Sequence, residues 1–238
     1  MDINFAEKRV LIIDDHPGMR SSMRAILSGF GVVLIEMSGT ANDGIRRLQA
    51  KTFDIVICDY FLGDSSDGQQ LLEQLRRNNL ISLSTIFIMV TAERVYEKVV
   101  SAVELAPDDY LIKPFSGEVL RGRLERIMAK KLAFAAIYNL LENGKLAEAT
   151  QLCKELTKHQ NKYTIDVLRL LAELYITQGK FDEAQDVYQQ VVALRAVPWA
   201  RMGLATMFHY KNRHHEAEEL LEEVIDEAPE YMAAYDLL

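Results

Sequence analysis

Five short apolar runs, at residues 10–13, 32–36, 55–58, 86–90 and 110–112, punctuate the first half of the chain, and longer amphipathic stretches separate them. The runs are rich in β-branched residues, and most are too uniformly apolar to present a solvated face. Such segments are strands buried on both sides, as in a parallel sheet covered by crossover helices. The spacing predicts those helices over 18–29, 41–51, 68–78 and 95–105, with a last one opening near Ser116 as its N-cap. Residues 1–128 are therefore expected to form an α/β domain around a doubly wound, five-stranded parallel sheet.

The strand signal stops near Met128. Beyond it the chain reads as helix pairs joined by short turns with Gly or Asn, and it repeats. Asn143-Gly144-Lys145-Leu146-Ala147-Glu148-Ala149 aligns with Gln178-Gly179-Lys180-Phe181-Asp182-Glu183-Ala184 and with Lys211-Asn212-Arg213-His214-His215-Glu216-Ala217, the last alanines lying 35 and 33 residues apart. A period near 34 is that of a helical solenoid, so residues 129–238 are expected to be an all-α repeat domain. No Pro, Gly or Ser-rich linker divides the halves. Leu120, Leu124, Ile127, Met128, Leu132, Ala135, Ala136 and Leu140 keep a three-to-four spacing across the junction, which predicts one helix shared by both.

A net charge of -8 and a pI near 5.2 disfavour a nucleic-acid partner, whose binding draws on clustered Lys and Arg. No stretch approaches the roughly 20 apolar residues of a membrane helix, so no membrane association is expected. The two cysteines, Cys58 and Cys153, lie far apart in apolar runs, which suits buried thiols in a reducing, cytoplasmic compartment.

The chemistry-bearing residues sit at the ends of the apolar runs. Asp14 and Asp15 follow the first, Asp59 the third, Thr91 the fourth and Lys113 the fifth. In a parallel sheet all of these emerge at the carboxyl edge, where α/β sheets bind ligands. Crowded carboxylates repel and take up protons unless a cation neutralises them, and oxygen ligands suit a hard divalent ion, with Mg²⁺ expected. A hydroxyl at Thr91 and an ammonium at Lys113 suit the oxygens of a phosphoryl group, which completes a set for phosphoryl transfer to a carboxylate. Singly, each residue has a bland reading as a turn, cap or surface group; five in order at strand ends do not.

Residues 8–128 thereby resemble the receiver domains of bacterial response regulators, the CheY-like, flavodoxin-like fold. The resemblance rests on Asp14-Asp15 after Val10-Leu11-Ile12-Ile13, on Asp54-Ile55-Val56-Ile57-Cys58-Asp59-Tyr60, on Thr91-Ala92 and on Asp109-Tyr110-Leu111-Ile112-Lys113-Pro114-Phe115. It implies that Asp59 accepts a phosphoryl group from a sensor histidine kinase or phosphotransfer protein. It further implies that Asp14, Asp15, Asp59 and the backbone carbonyl of Phe61 hold Mg²⁺, that Lys113 pairs with the phosphoryl group, and that the Lys113–Pro114 bond is cis. Thr91 and Tyr110 would be the switch, Thr91 moving to the phosphoryl group and Tyr110 turning inward. Receivers often dimerise through the face so reshaped, which makes a homodimer one expected partnership, with Asp108, Asp109 and Arg123 as charges to pair across it. No enzymatic output is implied beyond slow loss of the phosphate. The chain departs from the common pattern at Leu62-Gly63, where many receivers have Met-Pro, in a following loop one residue longer than usual, and at Leu105-Ala106-Pro107 ahead of the fifth strand.

Residues 130–238 resemble tetratricopeptide repeats, about three in number. The middle copy fits best, with Leu168, Leu171, Ala172 and Tyr175 followed by Ala184 and Tyr188; the third has Leu204, Ala205, Phe208, Ala217, Leu221 and Pro229, with Arg201 in place of the pattern's Trp. The first, with Ala149 and Cys153, is degenerate. Trp199 is expected to pack at a helix start, and His214-His215 to be surface. The apolar Tyr231-Met232-Ala233-Ala234-Tyr235-Asp236-Leu237-Leu238 opens a truncated further repeat, expected to continue in a longer protein or to be covered by another chain. The leading expectation is a two-component response regulator whose phosphorylation switches a protein or peptide partner on the repeats. The alternative is a constitutive repeat scaffold whose receiver is a docking domain. A phosphohydrolase is disfavoured, because Asp14-Asp15-His16-Pro17 lacks the Asp-x-Asp-x-Thr arrangement.

Overall fold

The computed structural model describes residues 4–63, 67–92, 106–159, 161–195, 197–228 and 232–238. The helix expected over 95–105, the loop residues 64–66 and Pro229 lie outside them. Among the described residues the chain forms two compact units, the first ending at Tyr138 and the second continuing from Asn139.

The first unit is a five-stranded parallel sheet in the order β2-β1-β3-β4-β5, built from β1 (Arg9–Ile13), β2 (Leu34–Ser38), β3 (Ile55–Asp59), β4 (Ile86–Thr91) and β5 (Asp109–Ile112). Successive side chains on a strand point to opposite faces, and this splits each central strand between two cores. Val10, Ile12, Ile55, Ile57, Ile86, Ile88, Val90 and Leu111 pack against Met23 and Leu27 of α1 (Pro17–Gly29) and against Leu120, Leu124 and Ile127 of α4 (Gly117–Glu142). Leu11, Ile13, Val56, Cys58, Phe87 and Met89 face the other way, onto Leu48 of α2 (Ala41–Ala50) and Leu71, Leu72 and Leu75 of α3 (Gly68–Arg77). Helices on both faces make the sheet doubly wound.

The second strand begins two residues later than the apolar run suggests. Val32 donates its N–H to Leu27 O (3.1 Å) and is buried with the α1-face core, while Val33 is 70% exposed. Val32 is used to close the turn after α1, so pairing with β1 starts at Leu34, opposite Arg9. Helix starts follow local capping: Thr40 Oγ1 accepts from Asp43 N at α2, Asp67 Oδ1 from Gln70 N at α3, and Ser116 Oγ from Val119 N at α4.

α4 is one helix from Gly117 to Glu142, as the spacing across the junction predicts. It is laced to the segment entering β5 by three cations. Arg123 and Arg126 hold Asp109 at 2.7 and 3.0 Å, and Lys131 reaches Asp108 at 2.8 Å while donating to Leu83 O at 2.6 Å. Burial pulls the Lys131 ammonium below its ordinary pKa despite the charge of Asp108. Asp108, Asp109 and Arg123, the charges expected to pair between two copies, are thus paired within one chain.

The second unit contains α5 (Leu146–Thr157), α6 (Thr164–Thr177), α7 (Phe181–Leu194), α8 (Pro198–Tyr210), α9 (His214–Glu227) and the short α10 (Met232–Leu237). Its repeat is visible in the turns themselves. Gly144, Gly179 and Asn212 adopt φ of 70°, 70° and 57°. At each turn the next residue donates to the carbonyl five back (Lys145 to Leu140, Lys180 to Tyr175, Arg213 to Phe208), the helix-ending pattern that a left-handed residue permits. Ala149, Ala184 and Ala217 are buried, as are Cys153, Tyr188 and Leu221 four residues later. Trp199 lies in the first turn of α8, edge-on to Tyr188 (6.2 Å) and beneath the Arg169 guanidinium (5.3 Å). Arg201, where the pattern has Trp, forms ion pairs instead with Glu223 and Glu227 of α9. No described helix is long and apolar enough to cross a membrane.

Two glycines and one ion pair bear on stability. A Cβ at Gly203 would lie 2.4 Å from the Tyr188 ring, whereas one at Gly122 meets nothing within 4 Å. Gly203→Ala should destabilise by roughly 1–3 kcal/mol through overpacking, and Gly122→Ala should stabilise by up to about 1 kcal/mol through helix propensity; urea melts of the two variants test the opposite signs. The hydrogen bond from Arg47 holds the Asp43 carboxyl at about 2, below its ordinary 3.8. Its contribution is present above the ordinary value and lost as pH falls toward 2, so the acid fall in melting temperature between those limits should be shallower in Asp43→Asn.

Candidate functional site

Strand register builds this site. Ile13 pairs with Cys58, Asp59 with Val90, and Thr91 with Ile112. One residue further along β1 and β5, Asp14 and Lys113 fall beside Asp59 and Thr91 at the carboxyl edge. Asp14, Asp59 and Thr91 are buried. Lys113 Nζ donates to Asp59 Oδ2 at 2.8 Å and to Asp14 Oδ2 at 3.3 Å, so a single ammonium bridges two carboxylates. The Lys113 backbone N–H donates to Thr91 O at 2.7 Å, and the Lys113–Pro114 bond is cis.

The charges are mutually dependent. Burial raises the Asp14 pKa above its ordinary value and the Asp59 charge adds to the rise, outweighing the His16 backbone N–H and Lys113. Burial works against the Lys113 ammonium, but the hydrogen bond to Asp59 and the charges of Asp59 and Asp14 leave its pKa raised. Asp15 is more open and meets His16 Nδ1 at 2.7 Å. Asp14, Asp15 and His16 bring ligand atoms within 4.8 Å of one another. Buried, crowded carboxylate oxygens of this kind fit a hard divalent cation. Phe61, just past β3, is paired with Asp67, and its exposed ring lies edge-on to Tyr60 at 5.0 Å. Tyr110 is half-buried against the cluster shared with α2 and α3.

Several participants carry no sequence signal of their own. Arg20 donates to Asp14 O (2.6 Å) and Asp15 O (3.0 Å). Asp14 N donates to Ser38 O at the end of β2. Gly68 is the closest approach in the site: a Cβ there would lie 2.5 Å from Asp59 O, 2.6 Å from Met89 Sδ and 3.3 Å from Cys58 Sγ. Only glycine lets α3 start against the end of β3, and its N–H donates to Tyr60 O at 2.7 Å. The helix beginning at residue 68 was readable; the need for a bare Cα there was not, because it depends on a neighbouring strand.

Comparison with known proteins finds two families along the chain. Residues 10–125 match the model of the response regulator receiver domain, and residues 140–205 that of the tetratricopeptide repeat. Among curated relatives, a protein named probable transcriptional regulator ycf27 from Guillardia theta is 28% identical over 202 residues, covering 80% of this chain and 76% of the relative. The chemotaxis protein CheY of Pseudomonas aeruginosa is 25% identical over 122 residues, covering 51% of this chain and 97% of its own. A CheY-like receiver domain protein from Methanospirillum hungatei JF-1 superposes with a TM-score of 0.47 at 25% identity, over 53% of this chain and 97% of that one. The chain therefore carries a response regulator receiver domain, followed by tetratricopeptide repeats.

Proposed function

We propose that the chain is a two-component response regulator that accepts a phosphoryl group on Asp59 and passes the change to a protein-binding repeat array. The observation that carries this reading is the Lys113 ammonium shared between Asp59 and Asp14 at the carboxyl edge of the sheet. An ammonium at hydrogen-bond distance from the acceptor oxygen is placed to move with the charge that a phosphoryl group brings.

In the transfer, an Asp59 carboxylate oxygen attacks the phosphorus of a phosphohistidine on the kinase or phosphotransfer partner. A P–O bond forms, the P–N bond breaks, and the leaving imidazole takes up a proton. Asp14, Asp15, Asp59 and the Phe61 carbonyl are the proposed Mg²⁺ ligands; when bound, the ion neutralises the charge on the transferring oxygens. Lys113 pairs with the phosphoryl group, and Thr91 hydrogen-bonds to it. Tyr110 then shifts inward, altering the face that β5 and α4 form. That face, or a homodimer made through it, and the repeats beginning after residue 128 are the proposed output toward a protein or peptide partner. Two buried free thiols support a cytoplasmic setting, with Cys153 pushed up to about 12 by burial.

Incubation with acetyl phosphate and Mg²⁺ should add one phosphoryl group to the intact mass of the wild type and none to Asp59→Asn. No gain in either would instead favour a constitutive scaffold. Mg²⁺ alone at about a hundred times its Kd should stabilise the wild type by about 2.7 kcal/mol. Asp14→Ala should lose that increment in a thermal melt, and an equal increment in both would remove Asp14 from the ligand set.

A further inference from the structure

The side chain of Arg20, in the first turns of α1, folds back under the end of β1. Its Nη1 donates to two successive carbonyls, Asp14 O at 2.6 Å and Asp15 O at 3.0 Å. On its other side the guanidinium lies against the turn between β2 and α2, where a Cβ on Gly39 would be 3.3 Å from Nη1 and 3.6 Å from Cζ. One planar cation thus touches the turn that carries both acidic residues and braces it against the neighbouring turn. A peptide group is rigid, so holding two consecutive carbonyls fixes two peptide planes, and with them the directions in which the Asp14 and Asp15 side chains leave the backbone. Asp14 is constrained at its far end as well, Oδ1 accepting from His16 N at 2.8 Å.

We propose that Arg20 is a positioning residue for the divalent cation: it holds the Asp14–Asp15 turn in the shape that points both carboxylates at the ion. The inference rests on the metal-site reading given above. Lysine replaces this only in part: an ammonium could reach the two carbonyls that Nη1 holds, but it lacks the flat guanidinium that packs against the Gly39 turn. Partners that orient metal ligands typically change affinity by about 10–100-fold when removed.

The test is titration of the full chain with Mn²⁺ followed by EPR, paired with acetyl phosphate labelling across a range of Mg²⁺ concentrations. The proteins are wild type, Arg20→Met, Arg20→Lys and, as a control on the same helix, Arg24→Met. Arg20→Met should need about tenfold more metal for half-maximal binding and labelling, yet reach the wild-type plateau, with Arg20→Lys between and Arg24→Met unchanged. Unaltered metal affinity in Arg20→Met would overturn the inference, as would a lowered plateau that excess metal does not restore, since that marks a purely structural role. Absence of Mn²⁺ binding by the wild type would instead remove the metal-site reading, and this inference with it.

Discussion

Two carboxylates at the ends of adjacent buried strands can face each other with both ionised only if something positive lies between them, and in this chain that group is Lys113. Unit charges about 4 Å apart interact by about 4 kcal/mol at the effective dielectric near a protein surface. The ammonium makes two favourable contacts of this kind, to Asp59 and Asp14, against one repulsion between the acids. Delivery of Lys113 to that point depends on β5, and β5 is held at its entry by the acids that α4 binds: Asp109 through Arg123 and Arg126, and Asp108 through Lys131. The electrostatics of the site and the seating of the long helix are therefore ends of one strand.

Much of this was legible in the residues. Strand ends announce themselves where a run of β-branched residues stops, and Asp14, Asp59, Thr91 and Lys113 stand at four such stops. A parallel register then brings them together without further assumption. What was not legible depends on tertiary neighbours. Arg20 reads as one more basic residue on an amphipathic helix until its guanidinium is seen to turn back on the Asp14 and Asp15 carbonyls. Burial of the Lys131 ammonium is tolerable because the Leu83 carbonyl, Asp108 and the Tyr138 ring receive it, and the first two come from distant parts of the chain. Val32, apolar and β-branched, belongs to a turn because the core beneath α1 needs it more than the sheet edge does.

The repeats teach the complementary lesson. Their period survives in backbone hydrogen bonds even where the side-chain pattern lapses: Asn212 takes the left-handed conformation that Gly144 and Gly179 take at the other turns. Arg201 replaces an aromatic residue and joins α8 to α9 through two glutamates, while Gly203 makes room for the Tyr188 ring of the preceding helix. The array keeps its geometry by exchanging one kind of contact for another at equivalent points.

Cys58 precedes Asp59 at the end of β3, its Sγ donating to Asp59 O at 3.2 Å. Burial, with the charges of Asp59, Asp14 and Asp67, pushes its thiol well above the ordinary pKa. Oxidants and electrophiles attack the thiolate, and here that form is suppressed first by burial and then by the neighbouring acids. A sulfur atom at the carboxyl edge of the sheet, beside two buried carboxylates and an ammonium, is thereby kept a packing group.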